Sequence, residues 1–238
     1  KNGEGDGVKI LGYQIPADPH QPWQTELING SLHLTHNFDL FKPDQQPKVG
    51  MFVASKEGIF ELIRTDSGWT SRQLTAAEPG DARFAGAGEV RAGRLSGNSP
   101  FLAAIEPMHG NQLVVYMPPD PADHAHFWKR QLLDSSLKEG HALACGDLFG
   151  IGSDQIVVGW RNKNDAGKVG IRIFSAPDAK SSEWTQALVD DNGMACEDLC
   201  LADLNNDGKL DIIAAGRATR NVRIYFNESP REVVHTSK

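Results

Sequence analysis

Long apolar runs and paired cysteines are both missing from this sequence. No stretch approaches the roughly 18 apolar residues that span a bilayer, so we expect no membrane insertion. The three cysteines, Cys145, Cys196 and Cys200, have no CxxC spacing. We therefore expect buried thiols, and disulfides do not define the fold.

Excess positive charge is missing as well. Lys and Arg total 24 against 31 Asp and Glu, which gives a net charge of −7, and no basic stripe alternates with aromatic residues. Because nucleic acids are bound by cationic side chains that neutralise phosphates, we expect no nucleic-acid partner. An acidic balance is ordinary for a protein that holds cations.

Helical periodicity is almost absent, and an internal repeat takes its place. Its anchors are Asp39, Arg94, Asp147 and Asp203, with spacings of 55 (39 to 94), 53 (94 to 147) and 56 (147 to 203) residues. A short apolar strand, a turn and a second strand follow each anchor, and tryptophan opens the third strand in three repeats. Four short strands per unit are typical of β-propeller blades.

We therefore interpret residues 1–238 as a single all-β unit, a β-propeller of four-stranded antiparallel blades. Complete blades are predicted at 31–75, 82–134 and 140–190, the outer strands of a blade at 1–30, and the inner strands of the closing blade at 196–238. Two alternatives stay open. The end segments complete one blade, which makes five blades within this chain and removes the open sheet edges. Otherwise the chain is part of a seven-bladed ring that further domains or subunits complete.

Residues 203–211 alternate oxygen donors around a glycine. The predicted ligands are the side chains of Asp203, Asn205, Asp207 and Asp211 and the carbonyl of Lys209. Calcium takes six to eight oxygen ligands, and Gly208 permits the left-handed bend that wraps them around the ion. An EF-hand would need Glu at the twelfth position, where this loop has Ala214. The pattern predicts one structural Ca²⁺ ion.

The loop that begins at Asp147 is the counterpart of this calcium loop. It is interpreted as running to Asp154, one residue shorter, with Phe149 and Ile151 where ligands should be. We expect it to bind no ion.

Strand order places a set of polar residues at one mouth of the propeller channel. The turns that enter the first strands and the turns that follow the second strands open on the same face. The residues of this set that we single out are His33, His36, Glu106, His109, His141, Arg161, Glu197 and Arg217. Blades far apart in sequence thus contribute to one site.

These residue types fit two kinds of chemistry. The histidines include two or three ligands for zinc or a similar ion, with Glu106 or Glu197 completing the shell. The same groups also fit general acid and base roles, with Arg161 and Arg217 holding an anionic oxygen. The plainer alternative is that each His is a hydrogen-bonded structural residue and that each Arg pairs with a nearby acid.

Several segments resemble known families. Leu201–Ile213 resembles the FG-GAP or VCBS repeat, whose fold is a β-propeller with calcium in such loops, often in exported proteins. That resemblance implies a secreted or periplasmic location, with a cytoplasmic one as the alternative. More narrowly, five segments are similar to the propeller region of aldos-2-ulose dehydratase and its bacterial relatives: Gly88–Arg91, Ile105–Asn111, Gly140–Leu143, Gly193–Leu199 and Gly216–Asn221.

The second resemblance implies elimination of water from a keto-sugar, with zinc in the propeller channel. A carbonyl beside the departing hydroxyl acidifies the intervening C–H, and a metal on that carbonyl stabilises the enolate. We therefore expect a metal-dependent carbohydrate lyase that acts on a keto-sugar of the aldos-2-ulose or anhydrofructose type. The implied roles are zinc binding by His36, His109 and His141, base or ligand for Glu106 or Glu197, and sugar orientation by Arg161 or Arg217.

Two features set limits on this expectation. The family also implies seven blades and, in larger enzymes, attached cupin domains, neither of which the sequence shows. The alternative function is a non-catalytic, calcium-stabilised propeller module that binds glycan or protein, since propellers serve both purposes.

Overall fold

The computed structural model describes residues 3–42, 49–76, 85–120, 122, 126–177 and 183–230. Its strands are β1 (Ile10–Gln14), β2 (Gln24–Asn29), β3 (Phe38–Phe41), β4 (Gly50–Ser55), β5 (Gly58–Thr65), β6 (Gly68–Gln73), β7 (Glu89–Leu95), β8 (Ser99–Glu106), β9 (Gln112–Met117), β10 (Lys129–Asp134), β11 (Gly140–Gly146), β12 (Gln155–Trp160), β13 (Gly170–Ser175), β14 (Thr185–Asp191), β15 (Cys196–Ala202), β16 (Asp211–Gly216) and β17 (Asn221–Tyr225). A single short 3₁₀ turn, Ser96–Asn98, is the one helical element among these residues.

The strands form five antiparallel sheets in chain order. Three are four-stranded, β3–β6, β7–β10 and β11–β14, while β1–β2 and β15–β17 form sheets of two and three strands. The predicted all-β fold of four-stranded antiparallel blades is confirmed, and the blade number stays a prediction. Residues 1, 2, 43–48, 82–84, 121, 123–125, 178–182 and 231–238 of the predicted blade ranges lie outside the described residues.

The first strands of successive sheets lie side by side: β3 contacts β7, β7 contacts β11, and β11 contacts β15. Each middle sheet is therefore covered on both faces. In β8, Leu102 and Ala104 pack against the preceding sheet, whereas Phe101 and Ile105 join the core shared with the following sheet. This explains why the second strand of each repeat is an apolar run instead of an alternating pattern.

Close packing within and between the sheets requires glycine at particular strand positions. A Cβ atom on Gly93 would lie 2.2 Å from the ring of Phe101, and one on Gly159 would lie 2.5 Å from Cβ of Cys196. No side chain fits at these distances. Gly93 leaves room for the ring of its partner Phe101 within one sheet, whereas Gly159 is a packing requirement of the interface with the following sheet.

The end segments do not share a sheet in the part of the chain that the structure describes. Ile10 and Ile28 of the β1–β2 sheet pack on the core of the β3–β6 sheet, and β17 pairs only with β16. The outward face of β17 is open, with Val222 70 % and Ile224 46 % exposed. The closing blade of the five-bladed alternative is therefore not formed by these residues.

The cysteines follow the expectation only in part. All three are free thiols, and Cys196 is buried, but Cys200 is exposed. In the strand register Cys200 lies opposite Ile213, which in turn lies opposite Ile224. Cys200 therefore belongs to the open face of the last sheet, which corrects the expectation that it is buried.

Neighbouring blades are tied by a buried aspartate at the end of the fourth strand. Asp190, whose side chain is 5 % exposed, accepts bonds from Arg223 Nη1 (2.7 Å) and Tyr225 Oη (2.8 Å) of the next sheet. Its second oxygen accepts the Gly193 N–H at 2.7 Å. The pair of Asp134 and Arg172 repeats this contact one blade earlier. A buried carboxylate with three donors makes the blade interface specific.

We predict that Asp190→Ala lowers the free energy of unfolding by about 2 kcal/mol or more, because it strips three donors of a buried acceptor. Asp191→Ala is the matched control. Its carboxylate pairs with Lys168 at 2.8 Å, but the two side chains are 50 % and 49 % exposed, so the expected loss is below about 1 kcal/mol. Urea unfolding measures the free energy of unfolding of both variants, and equal losses would contradict the role of Asp190 at the blade interface.

Candidate functional site

Three histidines carried by three different sheets lie close together. His36 precedes β3, His109 lies in the turn between β8 and β9, and His141 is the second residue of β11. Their ring centroids lie 4.2 Å (His36 to His109), 4.7 Å (His109 to His141) and 5.3 Å (His36 to His141) apart. One ligand nitrogen of each lies within 4.8 Å of the other two, and among the described residues this is the only such group. Metal binding by these three histidines remains a prediction.

The turn that carries His109 is tightly constrained. His109 has φ 48°, in the left-handed region that few residues other than glycine adopt. Next to it, a Cβ on Gly110 would lie 2.3 Å from the Pro107 carbonyl oxygen and 2.4 Å from that of Glu106. The histidine is therefore held by backbone geometry, and unusual backbone conformations of this kind are frequent at functional sites.

Two of the imidazoles are oriented by carbonyl groups of the next blade. His36 Nδ1 lies 3.1 Å from the Gly88 oxygen, and His141 Nδ1 lies 2.7 Å from the Glu197 oxygen. A carbonyl oxygen only accepts, so Nδ1 donates in both rings, and in the neutral form of each ring Nε2 keeps its lone pair. This is the arrangement that metal-binding histidines use.

The cluster has unequal proton affinities. Burial, together with the charges of His36, His141 and Arg161, lowers the pKa of His109 to about 4. A contact with Glu89 is the main cause that raises the pKa of His36, against the effect of burial. His109 is thus neutral at physiological pH, the form in which imidazole binds a cation.

A polar cavity lies beside the cluster. It has a volume of about 350 Å³ and is lined by Glu139, Arg161, Asn162, Arg217 and Ala218. Arg161 pairs with Glu139 at 2.9 Å and with Glu197 at 2.8 Å, and Arg217 lies 3.5 Å from the same Glu197 oxygen. Two guanidinium groups thus face two carboxylates, so the cavity is close to charge balance.

Glu197 keeps one carboxylate oxygen available. Burial raises the pKa of Glu197, but the bond from Arg161 and the nearby positive charges outweigh burial and lower it overall. Its Oε2 atom is buried and has no hydrogen-bond partner among the described residues. Glu197 is therefore ionised at neutral pH with one oxygen that can accept a proton.

Glu106 has partners within its own blade, and its expected role as base or metal ligand stays a prediction. Its side chain is 1 % exposed, and its carboxylate accepts the Tyr116 hydroxyl at 2.6 Å and Arg130 Nε at 3.1 Å. Both partners lie on the outer strands of the same sheet, so the side chain extends along its own blade. His33 lies outside the histidine cluster and pairs with Glu57 at 2.7 Å.

Two residues of the site were not anticipated from the sequence. Glu89 lies 3.2 Å from His36 Nδ1, and Glu139 pairs with Arg161. Glu89 directly follows Gly88, and Glu139 directly precedes Gly140, the neighbour of His141. That adjacency was the available signal.

The predicted calcium loop is closed by backbone hydrogen bonds to its first aspartate. Asp203 accepts the Asp207 N–H at 3.2 Å and the Gly208 N–H at 2.8 Å. Its counterpart Asp147 accepts the Ile151 and Gly152 N–H groups at 3.0 and 2.9 Å in the same pattern. The shared pattern shows that the two loops have one architecture.

The two loops also have the same length, which corrects the shorter interpretation of the Asp147 loop. The residue before Asp147 pairs with Gln155, and the residue before Asp203 pairs with Asp211. Gln155 therefore occupies the position of Asp211, and both are fully buried at the start of a strand. A neutral amide replaces one predicted carboxylate ligand, so calcium remains expected only at the Asp203 loop.

We predict that Ca²⁺ raises the melting temperature of the protein and that Asp203→Asn removes this increase, because the loop loses a charged oxygen ligand. Asp147→Asn is the control, since it loosens the same hydrogen-bonded turn in the loop that lacks ligands. Thermal denaturation with Ca²⁺ and with chelator measures the difference. If Ca²⁺ still raises the melting temperature of Asp203→Asn, the calcium assignment is wrong.

Comparison with known families supports the fold. Residues 2–119 match the family described as aldos-2-ulose dehydratase, beta-propeller domain, which confirms the resemblance over this segment. The segment contains His36 and His109, whereas His141 and the arginine cavity lie beyond it. No curated protein matches the chain. Within the described residues, no helix is long and apolar enough to cross a membrane.

Proposed function

We propose that this propeller, which resembles the aldos-2-ulose dehydratase propeller, is the catalytic unit of a metal-dependent carbohydrate lyase. Its substrate would be a keto-sugar of the aldos-2-ulose or anhydrofructose type, from which it eliminates water. The observation that carries the proposal is the group of three histidines, His36, His109 and His141, which converge from separate blades. The family match gives independent support for a sugar dehydratase.

The three side chains fit a zinc ion. Catalytic zinc sites take three protein ligands, often histidines, and leave a further position for water or substrate. Two of the rings present Nε2 while their Nδ1 atoms are engaged by carbonyl oxygens, and the third is held neutral by burial. When bound, zinc supplies a Lewis acid that polarises the sugar carbonyl and acidifies the adjacent C–H.

Glu197 is proposed as the base. It lies beside the histidines, since its own carbonyl contacts His141, and its Oε2 has no partner among the described residues. A carboxylate held ionised by Arg161 is ready to take the proton from the acidified carbon. Glu106 is not assigned this role, because Tyr116 and Arg130 occupy its oxygens.

The arginine cavity is proposed to bind the sugar. Arg161 and Arg217 line a space of about 350 Å³, and their guanidinium N–H groups are donors that sugar hydroxyl and carbonyl oxygens accept. Because Glu139 and Glu197 balance their charge, the cavity suits a neutral polyhydroxy compound better than an anion. Asn162 adds an amide that can both donate and accept.

We predict about one zinc ion per chain in the purified protein, and loss of that zinc in His109→Asn and His141→Ala. Asparagine also tolerates the left-handed backbone at position 109, so His109→Asn removes the ligand without disturbing the turn. His33→Ala is the control, because His33 pairs with Glu57 outside the cluster. Elemental analysis gives the zinc content.

Activity is tested on the same proteins. With a 2-keto sugar, the ultraviolet absorbance of an enone product should rise for the wild type and for His33→Ala, but fall at least 100-fold in rate for His109→Asn and His141→Ala. Calcium without zinc, and no absorbance change with any keto-sugar, would contradict the lyase. That outcome would favour a non-catalytic module that binds glycan or protein.

We predict that Arg161→Ala lowers kcat/KM by about 10- to 100-fold while zinc content stays at the wild-type level, since it removes sugar-binding donors and not a metal ligand. Arg72→Ala is the control, because Arg72 is 67 % exposed and pairs with Glu61 on an outer strand. Steady-state kinetics measures both variants. Unchanged kcat/KM in Arg161→Ala would remove the cavity from the proposal.

A further inference from the structure

Glu89 is a buried carboxylate with one oxygen that lies near His36 but makes no hydrogen bond with a described residue. It is the first residue of β7 and is 2 % exposed. Oε2 accepts Asn37 Nδ2 at 2.6 Å and lies 3.7 Å from Arg91 Nη2. Oε1 lies 3.2 Å from His36 Nδ1, yet it makes no hydrogen bond with a described residue.

A carboxylate oxygen in such a position needs a donor. Burial removes water from the group, and an unsatisfied acceptor is then costly, so buried carboxylates are almost always bonded or paired. The nearest donor is the Nδ1–H of His36, which currently points to the Gly88 oxygen at 3.1 Å. The two acceptors lie at nearly equal distances from one N–H group.

A cation bound to Nε2 of His36 would determine which of the two oxygens accepts the Nδ1–H. Binding of a metal at Nε2 draws electron density from the ring and makes Nδ1–H a stronger donor, which favours a charged acceptor over a neutral one. His141 offers a contrast, because its Nδ1 bonds to the Glu197 backbone carbonyl at 2.7 Å. Among the described residues, His36 is the one of these two histidines whose Nδ1 lies within 4 Å of a carboxylate oxygen, Oε1 of Glu89 at 3.2 Å.

We propose that Glu89 is a positioning residue for His36, whose Nδ1–H it accepts when Nε2 binds zinc. This inference rests on the proposed function, since it requires a metal at the histidine cluster. Glu89 fixes the tautomer and orientation of the imidazole and raises its basicity as a ligand. Asn37 and Arg91 hold the carboxylate in place through its other oxygen.

The test is zinc affinity, measured by competition with a chromophoric chelator. Glu89→Gln keeps the shape of the side chain and removes its charge, and the expected result is 10- to 100-fold weaker zinc binding. Glu57→Gln is the matched control, because Glu57 pairs with His33 at 2.7 Å outside the cluster. It should leave the zinc affinity within about twofold of the wild type.

A double variant separates positioning from general structural damage. If Glu89 acts through His36, then Glu89→Gln changes zinc affinity little once His36→Ala is present, with the residual binding measured against a weaker chelator. Equal weakening in both backgrounds would overturn the positioning role. The positioning role would also be overturned if Glu89→Gln left the zinc affinity unchanged while His36→Ala weakened it. The proposed function would then stand. A wild type that binds no zinc would overturn both.

Discussion

The structure depends on the packing of successive sheets against each other, with both faces of each middle sheet covered. In β8, alternate side chains serve opposite interfaces, with Leu102 on one side and Phe101 on the other. This fixes the register of every inner strand, because a shift by one residue would exchange the two faces. The start of each first strand and the end of each second strand thereby lie at the same end of their sheet.

The periodicity of the sequence therefore predicts a large part of the fold. The repeat and its apolar second strands predict blades, and strand order brings His36, His109 and His141 to one place. What periodicity does not give is the direction of a polar side chain at the end of a strand. Glu106 satisfies its carboxylate within its own sheet through Tyr116 and Arg130, which is a matter of available partners and not of spacing.

Electrostatic balance explains why so many charges can gather near the histidines. The carboxylates of Glu89, Glu139 and Glu197 face the guanidinium groups of Arg91, Arg161 and Arg217. Carboxylates and guanidinium groups are equal in number here, and burial is the largest cause that lowers the pKa of His109. A neutral imidazole in a balanced surrounding is available to a cation without first losing a proton. Sequence reasoning gave the arginines and Glu197, but the partners that balance them became visible only once neighbouring blades were placed.

The site is also a consequence of how successive blades meet. His36 contacts the Gly88 carbonyl of the following sheet, and His141 contacts the Glu197 carbonyl of the sheet after its own. Each imidazole is thus oriented by the blade that comes next, not by the one that carries it. A fragment that held only the segment matching the dehydratase family would keep His36 and His109 but lose His141. The geometry of the cluster therefore belongs to the packed array of blades, and no single repeat contains it.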